Sequence, residues 1–94
     1  LIEKLLRSYV FSLDETIAHM LEAISCMDFA TIEINAHNLK SGAASLGLTH
    51  IVTPAQEMEL KARSKDGSFD FELKLEELRV HFKELKRFSE LHNS

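Results

Sequence analysis

The stretch LRSYVFSLDETIAHMLEAI, residues 6 to 24, decides the fold class of this chain. Its apolar residues follow one another at steps of four, three, four, three and four: Leu6, Val10, Leu13, Ile17, Met20 and Ile24. This spacing keeps the side chains on one stripe of an α-helix. Ser12 and Glu15 also have the spacing of a capping box, so the sequence leaves open a break between a short leading helix and the main one.

A second amphipathic segment follows directly. It is predicted to begin at about Asp28, whose side chain is suited to capping a helix N-terminus, and to run to Leu46. Gly47 is predicted to end this helix, because glycine readily adopts the left-handed conformation that terminates many helices. This second helix carries the candidate functional residues.

The third segment has its apolar residues on one stripe: Ile51, Ala55, Met58 and Ala62. It is predicted to end near Lys65, ahead of an Asp-Gly turn. Pro54 leaves two starting points open. The helix can begin at Thr53, with Pro54 as its first helical residue, or near Thr49, with Pro54 close to the first turn.

The fourth segment again has apolar residues on one face: Phe71, Leu75, Leu78, Phe82 and Leu85. Ser68 or Asp70 is its predicted N-cap. No strand pattern competes with these segments, and the connections between them are short. The sequence therefore predicts an all-α, antiparallel up-down four-helix bundle, with the short extra N-terminal helix left open.

Length and composition limit the classes of protein to consider. We expect residues 1–94 to form one domain, and the start at Leu1 rather than methionine indicates a fragment of a longer chain. The net charge of -4 argues against nucleic acid as a partner, since a clustered basic face would be expected. No apolar run approaches the roughly 20 residues that cross a bilayer. The lone Cys26 cannot form an internal disulfide, which favours a cytoplasmic location, and we expect it to be a small buried residue.

His37 is the candidate functional residue of the second helix. At about 100° per residue, Leu39, Leu46 and Ile32 lie roughly 160°, 180° and 140° around the helix from it. The imidazole is therefore predicted to face away from the core. The alternative for a histidine in an apolar helix is a core residue or an idle surface one.

The side of the helix that carries His37 has a mixed character. Lys40, three positions on, can place its ammonium beside an anionic group on the ring. Small or apolar neighbours leave room for the backbone of another protein. The predicted partner-docking residues are Glu33, Ile34, Ser41 and Ala44. Gly42 points partly inward, and we expect it to allow close packing of a neighbouring helix.

These residues resemble the pattern of the histidine-containing phosphotransfer (HPt) domain, the relay module of multistep two-component signalling. The family pattern has an alanine-histidine pair, then an aliphatic residue, a lysine, a run of small residues and a glycine. Here it is matched by Ala36, His37, Leu39, Lys40, Ser41 to Ser45, and Gly47. Ser41 departs from the pattern because glycine is commonest at its position, and we expect only a modest effect on docking.

The resemblance continues into the third helix and assigns a role to Glu59. In the family, a glutamate or glutamine here accepts a hydrogen bond from the imidazole Nδ1-H, which leaves Nε2 as the nucleophile. His37 and Glu59 both lie 11 residues from Leu48, so an antiparallel hairpin would bring them level. A helix start at Thr53 would weaken this symmetry. Without the resemblance, the alternative for Glu59 is an ordinary surface carboxylate.

The resemblance implies that His37 accepts a phosphoryl group from a receiver-domain aspartate and returns it to a second receiver. The domain itself would bind no cofactor, and Mg²⁺ would be held by the receiver. It would act as a phosphocarrier, since no glycine loop for a nucleotide is present. A histidine kinase in the same chain, as in a hybrid sensor kinase, is a further expected partner.

Three alternatives remain open. The domain could be the phosphoacceptor of a chemotaxis-type kinase, or a helical interaction module in which His37 is incidental. A metal site is the third, but no histidine pair has the spacing of helical ligands, so we predict none. The other histidines are expected at the surface or its boundary: His19, His50, His81 and His92. Lys61, Arg63 and Lys65 are expected to form a solvated basic end of the third helix.

Overall fold

Four α-helices account for the regular structure in the computed structural model, which describes residues 2–91. They are α1 (Ile2–Ser25), α2 (Phe29–Ser45), α3 (Thr49–Arg63) and α4 (Phe71–Leu91). No strand occurs within these residues. The predicted all-α fold is confirmed.

The helices pack as a ring around one apolar core. α1 contacts α2 and α4, and α3 contacts the same two helices. The connections at 26–28 and 46–48 are only three residues long, so successive helices must run antiparallel. Large side chains from all four helices are fully buried in the core: Met20, Ile32, Ile51, Met58, Phe71, Leu75 and Leu78. The bundle is 43 Å long, and the 24 residues of α1 span about 36 Å of that length.

α1 is one continuous helix, so the break that the sequence left open at Ser12 does not occur. The Ser12 hydroxyl donates to the carbonyl of Tyr9, at 2.8 Å, instead of capping a new helix. The uninterrupted apolar stripe keeps α1 packed on the bundle along its length.

The first three helices end in the same way. In each case an N–H bonds to a carbonyl five residues earlier, across a residue with positive φ. At the end of α2 that residue is Gly47, as predicted, with φ of 71°. At the ends of α1 and α3 it is Met27 and Lys65, which lack the conformational freedom of glycine.

α3 begins at Thr49, the earlier of the two predicted starting points, and Pro54 lies inside the helix. Pro54 has no N–H for the carbonyl of His50, but its buried ring contributes to the core. Asp28 caps α2 as predicted, and Asp70 rather than Ser68 caps α4, accepting from the N–H of Leu73 at 3.0 Å.

A tyrosine of α1 packs against the small-residue run of α2. The Tyr9 hydroxyl donates to the carbonyl of Leu39 at 3.0 Å, and burial raises the pKa of this hydroxyl well above its usual value. A Cβ added at Gly42 would lie 2.5 and 2.6 Å from two carbon atoms of the Tyr9 ring. Glycine at position 42 therefore permits this close approach, as the sequence indicated.

Gly42→Ala is expected to destabilise the protein, although alanine is the better helix former. The hydrogen bond to Leu39 holds the Tyr9 ring, so the new methyl group forces a shift that costs about 1–3 kcal/mol. Over most of this range the cost exceeds the gain in helix propensity of about 1 kcal/mol. Urea unfolding measures the difference. Gly67→Ala, in the turn between α3 and α4, is the control for adding a methyl group without a clash, since no atom lies within 4 Å of its added Cβ. Equal stability of both variants would contradict the prediction.

Candidate functional site: a histidine backed by a buried carboxylate

His37 lies on the outer side of α2, with 54% of its side chain exposed. Ile32 and Leu39, which the helical phase placed on the far side of the helix, are buried in the core. The imidazole is therefore neither sealed in the interior nor free in solvent. It rests on the surface with one edge turned toward the bundle.

The inward edge of the ring meets Glu59 of α3. His37 Nδ1 lies 2.8 Å from Glu59 Oε2, and the glutamate side chain is only 3% exposed. The equal separation of the two residues from Leu48 predicts this meeting, and the start of α3 at Thr49 preserves the symmetry. A side chain of the third helix thus holds the ring from behind.

The contact determines which ring nitrogen carries hydrogen. An ionised carboxylate can only accept hydrogen bonds, so Nδ1 must be the donor to Glu59. In the neutral imidazole the other nitrogen, Nε2, then has a free lone pair. Nε2 lies on the edge of the ring that faces away from Glu59, where another molecule can reach it.

Two cations share the Glu59 carboxylate with the histidine. Lys40 Nζ lies 2.5 Å from Oε1 and forms an ion pair with it. Arg63 Nη2 lies 3.1 Å from Oε2, the oxygen that His37 also contacts. The buried charge of Glu59 is therefore compensated on both oxygens.

Arg63 is the residue of this site that sequence reasoning missed. It was expected in a solvated basic end of α3, yet its guanidinium joins Glu59 to Glu33, with Nε 2.8 Å from Glu33 Oε2. This arrangement ties α3 to α2 beside His37. The i, i+4 spacing of Glu59 and Arg63 was the available signal. Lys61, by contrast, lies 3.6 Å from Asp66, and Lys65 is exposed beyond the helix.

The environment of Glu59 keeps it ionised. Burial by itself would raise the pKa of this carboxyl, but the contacts with Lys40 and His37, together with their charge, lower the pKa below its ordinary value of 4.5. Glu59 is therefore an anion at neutral pH, as its role of hydrogen-bond acceptor requires.

This lowered pKa predicts a pH-dependent contribution to stability. Because the folded state binds the Glu59 proton less tightly than the unfolded state, the contribution is complete above pH 4.5 and is lost as pH falls through the folded-state pKa. Glu59→Gln removes the titrating group. The stability difference between the wild type and this variant, measured by urea unfolding, is expected to shrink from pH 7 to pH 3. A difference in the free energy of unfolding that stays constant from pH 7 to pH 3 would contradict the lowered pKa of Glu59.

The predicted docking residues occupy the same side of α2 as His37. Ile34 is 62% exposed, and Ser41 and Ala44 are also exposed. Glu33 is less accessible because its carboxylate is paired with Arg63. The surface around the imidazole therefore combines small or apolar side chains with the charged groups of Glu33, Lys40 and Arg63.

The remaining candidates lie away from this site. His19 and His50 are exposed, and His81 is half-buried with its ring 4.9 Å from that of His50. His92 lies outside the described residues. Cys26 is exposed, so its predicted burial is wrong: it lies just after the end of α1, where its thiol contacts backbone carbonyls of the last turn. Among residues 2–91 no group of three or more suitable side chains could hold a metal ion.

Comparison with known proteins identifies the family of this chain. The family model described as "Hpt domain" matches residues 4–88, almost the whole sequence. The chain therefore belongs to the Hpt domain family, and it is a phosphotransfer module of two-component signalling. Such domains carry phosphoryl groups and interact with receiver and kinase domains. Searches of curated proteins and of solved structures found no significant match.

Over residues 2–91, no helix combines the length and the apolar composition that crossing a bilayer requires.

Proposed function

We propose that His37 accepts a phosphoryl group from the aspartyl phosphate of one receiver domain and passes it to the aspartate of another. One observation carries this proposal: a half-exposed imidazole has its inner nitrogen bound by a buried, ionised glutamate. In the neutral ring that contact leaves the lone pair of Nε2 free and directed outward. Membership of the Hpt family supports the same chemistry.

The transfer is a displacement at phosphorus. The Nε2 lone pair forms the new N–P bond while the P–O bond to the receiver aspartate breaks, and the carboxylate leaves with the bonding electrons. The ring becomes positively charged because it keeps its Nδ1 hydrogen. Glu59 stabilises this imidazolium through the 2.8 Å contact, and the reverse reaction on the second receiver restores the neutral ring.

Lys40 and Arg63 are proposed to have different parts in this reaction. Lys40 is 26% exposed and has a flexible stem, so its ammonium can turn from Glu59 Oε1 toward a phosphoryl group on the ring. Arg63 is held by Glu33 and Glu59 together, which fixes the glutamate that orients His37. Lys40 is thus a phosphate-binding residue and Arg63 a positioning residue.

The receiver is expected to supply the rest of the reaction centre. It would bring the Mg²⁺ and the acidic pocket, and would dock on the surface formed by Ile34, Ser41 and Ala44. The Hpt domain would need no cofactor, because an oriented nucleophile and nearby positive charge are sufficient for its part in the transfer.

The experiment that tests this proposal uses a phosphorylated receiver domain as donor. On incubation with the protein, acid-labile phosphate is expected on His37, located by mass spectrometry under alkaline conditions. Addition of a second, unphosphorylated receiver is expected to remove it. Failure of every candidate receiver to transfer, with a protein that binds those receivers, would favour an interaction module instead.

A further inference from the structure

A hydroxyl group stands next to the reactive nitrogen. Ser41 Oγ lies 3.5 Å from His37 Nε2, one helical turn further along α2. The position is the one where this chain departs from the glycine that is commonest in the family pattern. The side chain at this position therefore faces the atom that the proposed function phosphorylates.

The contact made by the Ser41 hydroxyl differs from that of three other serines in the described helices. The hydroxyls of Ser12, Ser25 and Ser45 each donate to a backbone carbonyl three or four residues earlier, as serines in and near helices commonly do. The contact of Ser41 is with the imidazole instead. Its hydroxyl is thus available to a group on the ring.

The distance between Ser41 Oγ and His37 Nε2 indicates which group on the ring the hydroxyl can bind. With Nδ1 donating to Glu59, Nε2 is an acceptor, and the Ser41 hydroxyl can donate toward it. At 3.5 Å this contact is longer than a strong hydrogen bond. A phosphoryl group on Nε2 would extend its oxygens into the space beside Oγ, and those anionic oxygens are better acceptors than a neutral nitrogen.

Ser41 also complements Lys40 in position. The Lys40 ammonium lies on the inner side of the ring, against Glu59, in the unphosphorylated protein. The Ser41 hydroxyl lies at the outer nitrogen and has no ion pair to leave. It can therefore bind a phosphoryl oxygen without rearrangement of the buried contacts.

We propose that Ser41 is a phosphoryl-binding residue whose hydroxyl donates a hydrogen bond to the phosphoryl group on His37 and so stabilises the phosphorylated form. The proposal rests on the proposed function for the choice of His37 as acceptor. It differs from a docking role, because the effect of Ser41 is present without any partner protein.

A small phosphoryl donor tests this role on the isolated protein. Nε2 attacks the phosphorus of phosphoramidate, the P–N bond breaks, and ammonia leaves from the protonated nitrogen of the donor. With ammonium added in excess the reaction becomes reversible. The equilibrium ratio of phosphorylated to free His37 then measures the stability of the phosphorylated form, with the His37→Gln protein as background.

Ser41→Ala and Ser41→Gly are both expected to lower this ratio by about five- to tenfold, the effect of losing one hydrogen bond to a charged group at an accessible site. Alanine raises and glycine lowers helix propensity, so a shared decrease reports the hydroxyl and not the helix. Ser41→Thr keeps a hydroxyl and is expected to remain within about twofold of the wild type. Ser45→Ala is the control, because that hydroxyl bonds to a backbone carbonyl.

An unchanged or increased ratio in both Ser41→Ala and Ser41→Gly would overturn the proposal. The outcome is separate from that of the receiver experiment. Chemical phosphorylation of His37 can depend on Ser41 even if no receiver transfers its phosphoryl group, and receivers can transfer to His37 whether or not Ser41 contributes.

Discussion

His37→Gln is expected to leave the protein folded and to abolish the uptake of a phosphoryl group from a receiver. The His37 side chain is half-exposed, so the substitution removes little buried surface. The glutamine amide can still donate to Glu59, which avoids leaving that carboxylate without its partner. Glutamine has no nucleophilic lone pair in place of Nε2. The measurement is acid-labile labelling by a phosphorylated receiver, with circular dichroism to verify the fold.

His50→Gln is the matched control for this experiment. His50 is an exposed histidine in the first turn of α3, and its ring contacts His81 rather than a carboxylate. Labelling of this variant is expected to equal that of the wild type. Undiminished labelling of the His37→Gln protein would eliminate His37 as the phosphoryl acceptor.

Glu59→Ala is expected to slow phosphoryl uptake by about 10- to 100-fold, the size of effect found when the residue that orients a metal-binding histidine is removed. Without the carboxylate, Nδ1 loses its acceptor, and the ring is free to rotate or to place its hydrogen on Nε2. The positive charge that forms on the ring during transfer also loses its counter-ion. The initial rate of labelling by a phosphorylated receiver measures this effect.

The same substitution is expected to have a moderate effect on stability. Removing one member of a buried ion pair costs most when a charge is left behind in the interior. Here the remaining cations can turn to solvent, since Lys40 is 26% exposed and Arg63 is 58% exposed. We therefore expect a loss of about 1–2 kcal/mol at pH 7, measured by urea unfolding.

Glu59→Gln separates orientation from charge. Its amide oxygen can accept from Nδ1-H and preserve the tautomer, but it cannot balance the charge of the imidazolium. Uptake is expected to lie between those of the wild type and Glu59→Ala. If Glu59→Ala is labelled at the wild-type rate, Glu59 does not orient the nucleophile.

Much of the bundle follows from local patterns of sequence. The apolar stripe of α1, the Asp28 cap and the Gly47 stop each depend on a few neighbouring residues, and the structure has all three. The direction of His37 follows in the same way, because a helix relates side-chain direction to residue number. Local patterns did not decide whether α1 continues through Ser12. Its packing against the neighbouring helices keeps it continuous.

Features that depend on contacts between distant residues were harder to predict. Basic residues at the C-terminal end of a helix are usually solvated, and Arg63 was predicted on that basis. It instead binds Glu33 of α2, which is 30 residues earlier in the chain. The packing of Tyr9 on Gly42 likewise depends on where α1 crosses α2. Cysteine is a residue type that is usually buried, but Cys26 lies in an exposed turn. The meeting of His37 and Glu59 was predicted from the family resemblance, with support from the short turn between α2 and α3.

The sequence by itself determined four helices, their apolar faces and the outward direction of His37, because these properties depend on spacing along one chain segment. Only the tertiary structure decided which charges meet behind the ring. Glu59 is held by Lys40, His37 and Arg63 at once, and burial of its carboxylate makes those contacts necessary. Such an arrangement depends on how deeply α3 packs against α2, and helix periodicity does not specify that depth.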